Sequence, residues 1–81
     1  MTLTILTPEQ TLFSGEAESV SLPGTVGRFQ VLNNHAPLIS SLKKGNIKVK
    51  TKTEEINLNI SGGFVEVLKN NVSVLVEGVE N

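Results

Sequence analysis

Cysteine is absent from these 81 residues, so neither a disulfide nor a thiolate metal site can support the fold. Aspartate is absent too, and there is a single histidine, His35. A hydrolytic triad needs a nucleophile, a base and an orienting acid. A tetrahedral zinc site needs three or four ligands. One histidine without cysteine or aspartate supplies neither, and no cofactor motif is visible. The lack of tryptophan and tyrosine removes the side chains that most often stack on bases or sugars. Seven basic residues against eight acidic ones leave a net charge of −1, which gives no reason to expect nucleic acid or an anionic membrane as a partner. No apolar run approaches the roughly 20 residues of a membrane span. The opening MTLTILTPEQ has neither a basic n-region nor a small-residue cleavage site. Any membrane role is therefore expected to be indirect, through a partner.

What is present is enough apolar residue for a core. Hydrophobic residues make up 38%, and the seven glycines bring the apolar share close to the roughly 45–50% of globular chains. The length predicts one domain over residues 1–81, with a narrow stability margin because a chain this short buries little surface.

Alternation of period two dominates. Leu3 and Ile5 alternate with threonines. Leu12 and Phe13 form a short segment that Ser14-Gly15 is expected to end. Ala17, Val20 and Leu22 lead to the turn dipeptide Pro23-Gly24. Phe29, Val31 and Leu32 run up to Asn33-Asn34, and Leu38, Ile39 and Leu42 follow. Lys43-Lys44-Gly45-Asn46 reads as a hairpin turn. Ile47, Val49 and Thr51 alternate with Lys48, Lys50 and Lys52, a solvated lysine face. Ile56, Leu58 and Ile60 come after the turn Thr53-Glu54-Glu55. The last two strands, Phe64 to Leu68 and Val72 to Val76, are joined by Lys69-Asn70-Asn71, whose asparagines suit positive φ. No window shows helical spacing with caps. The prediction is an all-β, flattened antiparallel sandwich or barrel of about 8–10 short strands, with no substantial helix.

Few residues invite a chemical role. Glu16 and Glu18 would share a face on a strand, but they read as two solvated carboxylates. Ser61-Gly62-Gly63 is too short for a phosphate loop and reads as a bulge or a close backbone approach. The densest cluster of unusual residues is the connector from Ser21 to Leu42, SLPGTVGRFQVLNNHAPLISSL, which holds two turn signals, two of the three prolines and His35. His35 has two readings: its ring caps the Asn33-Asn34 turn, or it is a contact residue in a rigid exposed loop. Loops on a rigid scaffold tend to carry function. On these grounds alone a small hydrolase using Glu16 or His35 is disfavoured, and a free-standing β-sandwich adaptor that binds a protein by sheet-edge or loop contacts is one candidate.

The run PGTVGRFQVLNNHAPLIS, with GNIKV after it and SGGFVEV later, resembles the N-terminal domain of epsilon subunits of F-type ATP synthases. The opening LTILTPEQTLFSGEAESVSLPG is similar as well, so the resemblance spans the chain. It implies a flattened β-sandwich and a non-catalytic rotor subunit of the central stalk, without cofactor. The implied partners are the gamma subunit and the c-ring, at the cytoplasmic face of a bacterial cell membrane. Arg28, His35 and Ser40, with Asn33 and Asn34 between, match the family's ring-facing segment, and Thr7 matches a position near the gamma side. Three residues depart from the common pattern: Arg28 stands for a glutamate, Gln30 for a glycine and Asn33 for a proline. Family members commonly continue into an inhibitory helical hairpin, whereas this sequence stops at Asn81. The resemblance therefore implies a part that couples rotation without the inhibitory latch.

Overall fold

A computed structural model describes residues 1–80. Ten strands occupy them: β1 (Thr2–Leu6), β2 (Thr11–Glu16), β3 (Ser19–Pro23), β4 (Arg28–Leu32), β5 (Leu38–Leu42), β6 (Gly45–Lys50), β7 (Glu55–Ile60), β8 (Gly63–Leu68), β9 (Asn71–Val76) and β10 (Val79–Glu80). No helix occurs among the described residues. The strands form two five-stranded sheets, with orders β2-β1-β9-β8-β5 and β10-β7-β6-β3-β4. We call them sheet A and sheet B. The predicted sandwich is what forms. All pairings are antiparallel but one: β1 lies parallel to β9, with Thr2 opposite Asn71 and Leu6 opposite Leu75.

Alternation drives the layering. In β6 the pattern that starts at Ile47 puts Ile47 and Val49 inside and Lys48 and Lys50 outside. In β9, Val72, Val74 and Val76 turn inward while Asn71, Ser73 and Leu75 face out. The fully buried side chains are all aliphatic, with Leu3, Ile5, Leu22, Ile47 and Ile60 the largest. None of the three phenylalanines is fully buried. Removing that aliphatic surface from water, at about 25 cal/mol per Å2, is the main force holding the sheets together.

Several turns differ from their sequence reading. Ser14-Gly15 does not end a strand, because β2 runs through both to Glu16. Lys43-Lys44 is no hairpin turn: β5 and β6 belong to different sheets, so these residues cross between layers. The β6–β7 turn takes in Thr51 and Lys52, so Lys52 lies beyond the strand face that Lys48 and Lys50 share. In the β8–β9 hairpin the positive φ values fall on Lys69 (51°) and Asn70 (60°), while Asn71 already belongs to β9. Positive φ at both central residues is the type I′ geometry that matches strand twist. Lysine there carries a left-handed backbone at a cost of about 1 kcal/mol or more. Lys69→Gly is expected to stabilise the fold by about 0.5–1 kcal/mol, raising the thermal midpoint by a few degrees in a circular-dichroism melt.

Among the described residues, two of the three hairpins with four-residue turns, β1–β2 and β6–β7, use a threonine clasp, and β3–β4 does not. Thr7 Oγ1 accepts hydrogen bonds from the amides of Glu9 (3.2 Å) and Gln10 (3.0 Å). Thr51 Oγ1 accepts from Thr53 (3.3 Å) and Glu54 (3.1 Å) in the same way. Where the chain crosses between layers, backbone bonds tie the sheets: Ser61 N donates to Gly78 O (3.1 Å), Glu77 N to Gly62 O (2.9 Å) and Glu18 N to Lys50 O (2.7 Å).

Candidate docking surfaces

The residues singled out in the sequence fall on two parts of the sandwich. β4 and β5 are the outermost strands of their sheets, and the loop from 33 to 37 joins them. Arg28, Asn33, Asn34, His35 and Ser40 therefore all lie along one edge of the molecule. They do not form one cluster. Arg28 starts β4 and Asn33 follows its end, so four residue steps of strand, roughly 13 Å, separate Arg28 from Leu32. Thr7 lies elsewhere, in the β1–β2 turn, with its hydroxyl engaged in the clasp described above.

The Asn33–Pro37 loop is held firmly. His35 N donates to Leu32 O (3.2 Å), closing the turn, and Asn34 sits at φ 63°. The Asn34 amide donates to Asn70 Oδ1 at 2.8 Å, which fastens the loop to the β8–β9 turn. Asn33 Oδ1 accepts from the Met1 nitrogen. The His35 ring does not cap the turn. Its Nδ1 lies 2.7 Å from Ala36 O, which can only accept, so Nδ1 carries a proton and donates it there. Pro37 then fixes the direction of the chain into β5. At the other end of β4, Arg28 Nη1 donates to Asn46 O at 2.6 Å, which lays the guanidinium against sheet B. Ser40 is half-buried, on the same side of β5 as Leu38 and Leu42.

Bare edge is scarce on β5. Thr25 N donates to Ser41 O (3.2 Å) and Lys43 N to Pro23 O (2.9 Å), so the end of β3 and the turn after it cover one end of β5. Pro37, which has no N–H, precedes the other end. On β5 only a short stretch around Ile39 is left to accept another strand, whereas β4 is paired on one side alone, with β3.

The outer faces of the two sheets differ in kind. On sheet B, Gln30, Ser21, Lys48 and Asn57 form one polar cross-strand row. Lys48 is paired with Glu55 at 3.7 Å. On sheet A, Phe64, Leu75 and Leu6 lie side by side across β8, β9 and β1. Phe64 is 47% exposed and Leu75 40%. Pro8 and Glu77 border a cavity of ≈ 220 Å3 beside Phe64 and Leu75. Nearer the His35 loop, the same face carries Leu68 (48% exposed) and Ile39 (74%). The sequence reading missed this face because Phe64, Leu68 and Leu75 look like ordinary core positions. The signal was their parity, since all three alternate with the valines that fill the core.

No group of three or more His, Cys, Asp or Glu side chains is placed to hold a metal ion among the described residues. Glu16 and Glu18 do not share a strand face, because β2 ends at Glu16. Glu16 instead accepts from Thr2 Oγ1 at 2.9 Å. What the surface offers is adhesion: one apolar face, and one edge of ordered polar loops.

Comparison with known proteins adds to this. Residues 1–81 match the family described as ATP synthase, Delta/Epsilon chain, beta-sandwich domain. The chain is 40% identical over 80 residues to the ATP synthase epsilon chain of Thermosynechococcus vestitus, covering 99% of this chain and 58% of that one. It is 44% identical over 78 residues to the ATP synthase epsilon chain of Dehalococcoides mccartyi, covering 96% and 56%. The chain thus spans little more than half the length of these relatives. Its fold is that of a chain in the Tetrahymena thermophila mitochondrial ATP synthase central stalk and c-ring structure, with a TM-score of 0.86 at 16% identity, covering 99% of this chain and 65% of that one. A chain in the Euglena gracilis mitochondrial ATP synthase structure gives 0.89 at 21% identity, covering 96% and 51%.

Proposed function

The chain belongs to the ATP synthase delta/epsilon chain family, and from that premise we propose that it is a non-catalytic component of the central stalk, binding the gamma subunit with one surface and the c-ring with another. The observation that carries the reading is the contrast between the outer faces: apolar Phe64, Leu75 and Leu6 on sheet A, polar Gln30, Ser21 and Lys48 on sheet B. A rotor part must hold to its shaft without slipping, and a broad, partly apolar sheet face suits that task. In this reading sheet A meets gamma, and Thr7 lies in the β1–β2 turn that follows Leu6.

The edge formed by β4, the Asn33–Pro37 loop and β5 then meets the polar loops of the c-ring, with Arg28, Asn33, Asn34 and His35 as contacts and Ser40 behind them. Arg28 places a positive charge where the family pattern commonly has a negative one, so an acidic ring residue is its complement. The protein reaches the membrane only through the complex, peripherally, at the cytoplasmic face.

The test is co-purification with the gamma subunit of the same organism. The unmutated chain is expected to form a stable complex. Phe64→Ser combined with Leu75→Thr is expected to weaken it at least about 100-fold, as when two interface anchors are lost together, while neutral polar side chains at these half-exposed positions leave the fold intact. Failure of the unmutated chain to retain gamma would sink the reading.

A further inference from the structure

Glu66 is the unused feature of the apolar face. It lies on β8 between Phe64 and Leu68, exposed, with the same parity as both. Its cross-strand neighbours are Ile39 on β5 and Ser73 on β9. The row continues through Thr4 on β1 to Ser14 on β2. A band of hydroxyls headed by one carboxylate therefore crosses the face, with Phe64, Leu75 and Leu6 on one side and Leu68 on the other. Among the described residues, Glu66 makes neither an ion pair nor a side-chain hydrogen bond within the chain; the ion pairs found are those of Glu16, Glu55 and Glu80. The other acidic side chain on the outward face of these strands, Glu16, sits at the far corner and is held by Thr2.

We infer that Glu66 is the specificity determinant of this face: its partner surface presents a cation, Arg in preference to Lys, set among apolar side chains. The inference rests on the reading that sheet A docks on the gamma subunit, and names the chemistry of that contact. A partner that covers Phe64 and Leu68 must also cover the carboxylate between them. Desolvating an unpaired carboxylate opposes binding strongly, and an opposite charge with good hydrogen bonds is what offsets it. An arginine fork meets a carboxylate with two parallel hydrogen bonds. Ser73 and Thr4 offer further donors and acceptors beside it, which fixes the register of the partner along the row. The same carboxylate repels an apolar surface that lacks the cation, which is how a face of this kind rejects wrong partners.

The experiment measures affinity of the full chain for the gamma subunit, for the unmutated protein and for Glu66→Gln, at low and at high salt. Glu66→Gln keeps the shape and removes the charge, and its thermal midpoint is expected to stay where it was. Binding is expected to weaken about 10- to 100-fold, with a flatter salt dependence than the unmutated chain shows. A loss below about fivefold, the most that an exposed ion pair supplies, overturns the inference while leaving the gamma reading in place. No binding by the unmutated chain removes both.

Discussion

Gly63→Ala is expected to cost about 3–5 kcal/mol and to lower the thermal midpoint by roughly 15–30 °C, which a denaturation scan followed by far-UV circular dichroism would register. Two independent costs meet at this residue. Its φ of 156° lies in a region that only glycine adopts readily. A Cβ there would also overlap the Leu75 carbonyl oxygen and lie 2.9 Å from Val76 Cα, both backbone atoms of the paired strand β9. Neither can move without opening the β8–β9 ladder. Gly27 separates the two costs. Its φ is 158°, yet a Cβ would meet nothing within 4 Å. Gly27→Ala is therefore expected to show the strain alone, about 1–2 kcal/mol. Equal losses at the two positions would refute the steric account. For a domain whose whole stability is about 4–12 kcal/mol at this length, Gly63→Ala removes a large share.

Leu3→Ala is expected to cost about 2–5 kcal/mol, read as a shift in the denaturant midpoint with little change in slope. Leu3 is fully buried on β1, a strand bonded on both sides, to β2 and to β9. Its neighbours across the ladders are Gly15 and Val72. With strands pinned on both sides, the cavity cannot collapse, so the loss is expected toward the upper part of that range. Leu3→Met keeps the volume and should cost less than about 1.5 kcal/mol. A Leu3→Met penalty as large as that of Leu3→Ala would mean that shape, and not lost volume, governs the site.

Alternation made most strands readable, because a half-buried strand writes its inward face into the sequence. Ile47 and Val49 between Lys48 and Lys50 could hardly be anything else. Lys43-Lys44-Gly45-Asn46 misled for the opposite reason. Turn chemistry is local, but whether the following strand rejoins the same sheet depends on distant partners such as β3 and β8. Ser14-Gly15 looked like a stop because glycine breaks strands on average, yet Gly15 pairs with Leu3 inside a continuous ladder. The parallel β1–β9 pairing left no trace, since parallel and antiparallel neighbours share the same period. Of the candidate contacts, Arg28 and His35 match one segment of the family pattern, and the length of β4 holds them apart along one edge. The apolar face of sheet A was written in the chain all along, but period two says that a strand has two faces and not which of them is buried. Here the valines took the core and left Phe64, Leu68 and Leu75 outside.

The β1–β9 pairing sets the order in which this protein can be finished. Thr2 meets Asn71, at the far end of the sequence. During synthesis β1 leaves the ribosome first and can close at once only on β2. Its other ladder waits until β9 has been made, so the centre of sheet A closes only when every strand of sheet B except β10 is already available. Contacts this distant along a chain slow folding. In the interval β1 is an unpaired strand edge carrying Leu3 and Ile5, which is where a nascent or shortened chain would be most prone to stick to its neighbours.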